Sequence, residues 1–208
     1  MITLSLTENK VLMAQARQSL EGKWGLAMGT CVVFVLISIV LQQIPVAGGI
    51  IDILITGAMT IGIAIFALAL SRKQEAKLSQ IFEGFQKFGI GLGAHLLQAL
   101  FVILWMLLFI IPGIIASLSY AMTFYIIAEN DTIGPLQAIS KSKEMMDGNK
   151  WKLFCLQFRF LGWALLCILT LGIGFLWLMP YMMVSVAQFY DDLKPICVES
   201  SEPQIESL

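Results

Sequence analysis

Charge is what this sequence has least of. Of its 208 residues only 13% are charged, 13 basic and 14 acidic, about half the usual share. A water-facing surface for a core of this size needs more polar material than that, and a mean hydropathy of +0.84 points to lipid as the main solvent. An ordinary globular enzyme is thereby excluded. The net charge of −1 also excludes the strongly basic face of a nucleic-acid binder. A single histidine and four cysteines, none in C-x-x-C spacing, supply no metal-ligand set, and no cofactor is implied.

What is abundant is long apolar sequence in which charge is all but absent, Asp52 and Arg159 being the exceptions. Six such runs cover residues 25–44, 50–70, 89–111, 114–128, 153–171 and 175–190, and each reads as a membrane span. The fourth and sixth, of 15 and 16 residues, reach only about 22–24 Å at about 1.5 Å per residue, short of a roughly 30 Å hydrocarbon core. The first run begins after Glu8 and Glu21 and ends in Pro45 without a clear A-x-A site, so it is expected to stay as a span rather than be cleaved as a signal peptide.

The linkers alternate in character. Residues 45–49, Pro112-Gly113 and 172–174 are short, uncharged and rich in helix breakers, as tight turns between antiparallel helices require. The others are long and charged, and together with the segments before the first span and after the sixth they hold 12 of the 13 basic residues. The positive-inside rule then predicts both termini in the cytoplasm.

An acid-glycine pair enters each expected hairpin, at Glu21-Gly22, Glu83-Gly84 and Asp147-Gly148. Upstream of each lies helical apolar spacing: Leu12, Ala16 and Leu20; Leu78, Ile81, Phe82 and Phe85; Leu136, Ile139 and Met146. Gly134-Pro135 has the form of a helix start, and each glycine suits a left-handed helix stop. The expectation is an all-α polytopic membrane bundle of six transmembrane helices. They form three pseudo-repeated hairpins, each preceded by a cytoplasmic interfacial amphipathic helix. One domain is expected over 1–193, in units of about 8–70, 71–128 and 129–193, followed by a short polar cytoplasmic tail over 194–208.

Several residues are candidates for function. His95, Arg159 and Glu129 are the polar groups of the spans or their ends. His95 is expected to hydrogen-bond across the bundle, or else to relay a proton. Arg159 is expected to snorkel, to contact an anion or headgroup, or to pair with Glu129. Asp52 is expected to cap the second span. Lys23, Trp24, Lys87, Lys141, Lys143, Lys150, Trp151 and Lys152 form an anchoring collar that can also bind anionic lipid or a partner protein. Pro180 and Gly148 are candidate hinges, while Gly89 with Gly93 and Ala58 with Gly62 are candidate sites of close helix approach.

The runs Ile111-Pro112-Gly113-Ile114-Ile115, Ser119-Tyr120-Ala121-Met122, Ala138 through Phe154, Pro180-Tyr181 and Phe189-Tyr190-Asp191-Asp192-Leu193 resemble the bacterial integral-membrane family catalogued as domain of unknown function 975. That family is similar in outline to the membrane region beside glycerophosphodiester phosphodiesterase domains. The resemblance implies a bacterial plasma-membrane protein with lipid-associated or accessory work, and it brings no active-site residues. The expected function is a non-enzymatic accessory or scaffold interacting with membrane lipids or a membrane-protein partner. A transporter of a small solute or lipid is the alternative. An embedded enzyme is disfavoured, because His95, Asp52 and Glu129 are expected at different depths.

Overall fold

Apolar sequence uninterrupted by charge folds as helix, because helix satisfies every backbone hydrogen bond within one segment. A computed structural model describes residues 7–43, 47–170 and 172–199, and among these there is helix and no strand. The order is α1 (Asn9–Leu20), α2 (Trp24–Gln42), α3 (Ala47–Ser71), α4 (Gln80–Glu83), a 3-10 turn (Gly84–Lys87) and α5 (Phe88–Leu108). Then follow α6 (Ile110–Ser119), α7 (Thr123–Glu129), α8 (Pro135–Met145), α9 (Lys150–Leu169) and α10 (Phe175–Glu199).

By length and composition, four segments can cross a membrane: Ile51–Ser71, Gln80–Leu108, Ile110–Glu129 and Lys150–Leu169. A fifth arises if α1 and α2, bent by 96°, count as one. These correspond to the expected second to fifth spans and, with α1 and α2 taken together, the first. The sixth is outside this set because α10 carries Asp191, Asp192 and Lys194 within its helix. That helix also runs through Lys194 to Glu199, so the expected tail begins as helix; residues 200–208 lie outside the described residues.

Three turns differ from expectation. Residues 44–46 lie outside the described residues, but Ala47, Gly48 and Gly49 are the first turn of α3 rather than a loop. Asp52 is consequently inside the helix and caps nothing; its carbonyl accepts the Thr56 hydroxyl at 2.6 Å. The break between α5 and α6 falls at Phe109, which is extended (φ −160°, ψ 146°). Pro112 sits in the opening turn of α6, where a missing N–H leaves nothing unpaired. The fourth run is divided by a turn at 120–122, and α8 repairs the break: buried Ser142 donates to Ser119 O at 2.8 Å and accepts from Met122 N–H at 3.1 Å. At the start of α8, Gly134 N–H donates to Gln137 Oε1 at 3.4 Å, and Pro135 is the first helical residue.

Gly22 and Gly148 are left-handed, with φ of 76° and 75°. Gly84 is not: its φ is −59°. Its glycine serves proximity instead, since a Cβ there would lie 2.0 Å from Ala58 O. Gly62 meets Ile81 O in the same way at 1.9 Å, and Gly57 lies against the backbone of Gly91. This glycine seam presses α3 against α4 and α5. Gly89 faces open space while Gly93 approaches Pro135 at the start of α8, so only one glycine of the expected G-x-x-x-G pair serves a close approach, whereas Ala58 and Gly62 both do.

α1 lies across the bundle. Its apolar face, Leu12, Ala16 and Leu20, is buried, and Tyr181 of α10 donates to Met13 O at 3.3 Å. Phe160 of α9 meets the Tyr181 ring edge-on at 5.3 Å, so α1, α9 and α10 share one core.

Candidate functional site

One end of the bundle collects the charged residues that terminate the helices. Arg72 follows α3, Glu129 closes α7, and Tyr190, Asp191 and Lys194 lie on adjoining positions of α10. An uncharged helix stops being apolar where it leaves the core, so the first polar residues after antiparallel helices gather at the same level. Arg72 Nη2 is 2.5 Å from Asp191 Oδ1, and its Nε donates to the same carboxylate at 3.2 Å. Arg72 also pairs with Glu129. Glu129 accepts further from Lys194 Nζ at 2.9 Å and Tyr190 OH at 2.8 Å. Ser71 Oγ donates to Asp191 Oδ2 at 2.9 Å, and Gln188 Nε2 donates to Ser71 O at 2.8 Å.

Two cations thus meet two carboxylates, half-buried, beside an open cavity of about 360 Å³ lined by Leu68, Arg72, Gln80, Glu129 and Lys194. The Asp191 and Glu129 carboxylates hold the Arg72 guanidinium above its already high range. Charge-assisted bonds of this kind fix geometry. They join α3, α7 and α10, and they leave both carboxylates occupied rather than poised for proton transfer.

The expected Arg159–Glu129 pair is absent, because Glu129 is held by Arg72 and Lys194 while Arg159 is exposed on α9. His95 is half-buried and packs beside Phe124, with ring centroids 6.4 Å apart. Among the described residues it makes no hydrogen bond across the bundle; its neighbour across α7 is an apolar ring.

The basic and aromatic residues of the expected collar divide. Lys87, with a side chain 12% exposed, donates to Ile127 O at 2.7 Å and Ala128 O at 2.9 Å, and pairs with Asp131 at 2.7 Å. It thereby occupies the negative end of the α7 dipole. Lys23 donates to Gln74 O at 2.7 Å, and Lys152 pairs with Asp192 at 3.4 Å. Lys141 and Lys143 are exposed, and with Lys150 they make no ion pair among the described residues. Trp151 is 73% exposed and stacked on Phe154 at 5.3 Å. Of the candidate hinges, Gly148 is the left-handed turn before α9, and Pro180 is buried within an unbroken α10. Among the described residues no three His, Cys, Asp or Glu side chains are grouped as metal ligands would be.

Arg72, Asp191 and Lys194 are the residues that sequence reasoning missed. The available signal was positional: each is a charge at or just beyond a span end on the same expected side.

The fold and this charged end define an all-helical protein with several helices apolar and long enough to span a membrane. The chain belongs to the family described as Protein of unknown function (DUF975), whose model matches residues 1–116 and 106–196. Neither a curated protein nor a solved structure matches it.

Proposed function

We propose that the chain is a multi-pass protein of the bacterial plasma membrane, both termini cytoplasmic, that acts without catalysis of its own as an accessory or scaffold for lipids or other membrane proteins. In this reading α2 and residues 175–190 of α10 join the four long apolar segments to make six spans. The sequence of amphipathic helix, turn and two spans then recurs three times, with Gly84 replaced in function by a packing contact.

The observation that supports it is the division among cations at the charged end. Arg72, Lys87, Lys152 and Lys194 are neutralised within the fold, whereas Lys141, Lys143 and Lys150 make no ion pair among the described residues, and Trp151, next to Lys150 in the chain, is exposed. A rim of that kind attracts an anionic membrane surface by about 1 kcal/mol per basic residue. The transport alternative has less to stand on. The cavity of about 330 Å³ between α2, α3 and α10 is lined by Thr30 and apolar side chains, and the Thr30 hydroxyl is already bonded to Leu26 O. Beyond the Cys31 thiol, a weak donor, a polar solute finds no further partner there.

Two measurements test the reading. Cys197 is expected to resist a membrane-impermeant thiol reagent in intact cells and to react after permeabilisation; labelling in sealed cells overturns the orientation. Native mass spectrometry is expected to find retained phosphatidylglycerol, reduced by K141Q/K143Q/K150Q. Equal retention of phosphatidylglycerol and phosphatidylcholine by the unaltered protein removes the lipid role.

A further inference from the structure

A third cavity, of about 470 Å³, is lined by Arg17, Trp24, Trp163, Trp177 and Tyr181, none of them part of the charged cluster. Its walls come from four helices. Arg17 lies in the last turn of α1, Trp24 begins α2, Trp163 is on α9, and Trp177 and Tyr181 are one turn apart on α10. The composition is uneven along its length. At the α1 end stands a guanidinium that is exposed and has no ion pair among the described residues. Toward the other end of α10 the walls are indole rings, with Trp163 58% and Trp177 53% exposed.

An exposed guanidinium over a slot of tryptophans matches an amphiphile with an anionic head, and no part of the described chain fills it. Arginine offers a planar fork suited to phosphate oxygens. Tryptophan combines an apolar body with a polar edge, which suits the boundary between headgroup and acyl chain. A free anion would be served by Arg17 alone and would leave the indole walls without purpose.

We propose that this groove is a binding site for one anionic phospholipid, its phosphate on Arg17 and an acyl chain running between α9 and α10 past Trp163 and Trp177. The site rests on the membrane reading above and adds to it a defined position, separate from the lysine rim.

The groove tryptophans supply the readout. Of the five tryptophans, Trp105 and Trp151 lie outside the groove, and W105F/W151F leaves only Trp24, Trp163 and Trp177 to fluoresce. Phosphatidylglycerol with brominated acyl chains, titrated into that protein in mild detergent, is expected to quench them saturably. R17Q is expected to weaken the half-saturation point about fivefold, the loss of one basic contact, and R17K restores part of it. Thermal melts of R17Q matching the parent establish that the fold is intact. Identical curves for brominated phosphatidylglycerol and phosphatidylcholine, an unaltered R17Q titration, or displacement by millimolar inorganic phosphate each overturn the site. Those failures are distinct from failure of the membrane reading, which is scored by whether the full chain fractionates with membranes.

Discussion

Replacing Gly84 with alanine separates conformation from proximity, because the two physical terms oppose each other there. The residue is helical, with φ −59°, so alanine is favoured on propensity by as much as about 1 kcal/mol. Its Cβ, however, would lie 2.0 Å from Ala58 O and 2.7 Å from Gly62 N, both backbone atoms. Close carbon–oxygen contacts begin at about 3.3 Å, so α4 must retreat from α3 by more than an ångström. No side-chain rotation can relieve this, and the same shift loosens the contact of Gly62 with Ile81. Overpacking of this type costs about 1–3 kcal/mol; with rigid backbone on both sides the upper half of that range applies, which leaves a net loss of about 2 kcal/mol. For a chain of this size that lowers Tm by about 4–8 °C. The assay is thermal unfolding in mild detergent, followed by tryptophan fluorescence and by recovery of the monodisperse peak. Gly89→Ala is the control, since its Cβ meets nothing within 4 Å, and it is expected to match or exceed the parent. A Gly84→Ala protein that melts with the parent refutes the seam between α3 and α4.

Three further perturbations address other contacts. Arg72→Met removes the guanidinium from Asp191 and from Glu129, leaving Asp191 only the Ser71 hydroxyl, and is expected to destabilise by about 1–3 kcal/mol, with Asp191→Asn in the same chain recovering part of the loss in a double-mutant cycle. Lys73 holds a left-handed φ of 57° where Gln74 N–H returns to Ala69 O at 2.8 Å, so Lys73→Gly is expected to raise Tm, relieving about 1 kcal/mol of backbone strain; an unchanged melt contradicts that conformation. Lys87 holds the Asp131 carboxyl below its ordinary range through a hydrogen bond. A depressed folded pKa stabilises above the unfolded value of about 3.9 and loses that contribution as pH falls through the folded value. Melts of the parent and Asp131→Asn are expected to differ at pH 7 and converge well below pH 4.

Helices were legible in the sequence because charge is absent from them, and their packing partners were not. Pro112 drew the α5–α6 turn toward itself, yet proline is tolerated in an opening helical turn, so the chain could break at Phe109 instead. Gly22, Gly84 and Gly148 look alike in sequence, but two serve left-handed turns and one serves contact with a helix some 25 residues earlier. Glu129 was recognisable as a partnered carboxylate, whereas its partner was not: Arg72 and Asp191 are separated by 119 residues, and periodicity carries no information over that distance. Arg17 and the groove tryptophans were visible individually, and only the crossing of α1 over α9 and α10 brings them together.

That crossing also sets an order of events during synthesis. Thr7 hydrogen-bonds to Asp192, 185 residues later, so α1 docks against a helix made long after it. At about 5–20 residues per second of translation, α1 waits on the order of 10–40 s before its seat on α10 exists. Over that interval the apolar face of α1 is covered only in part, Ala16 and Leu20 by Phe66 and Leu70 of α3, and the remainder must rest on the bilayer surface or on a biogenesis factor. Completion of α10 closes the clasp, so a chain truncated before it leaves α1 as an open, sticky end.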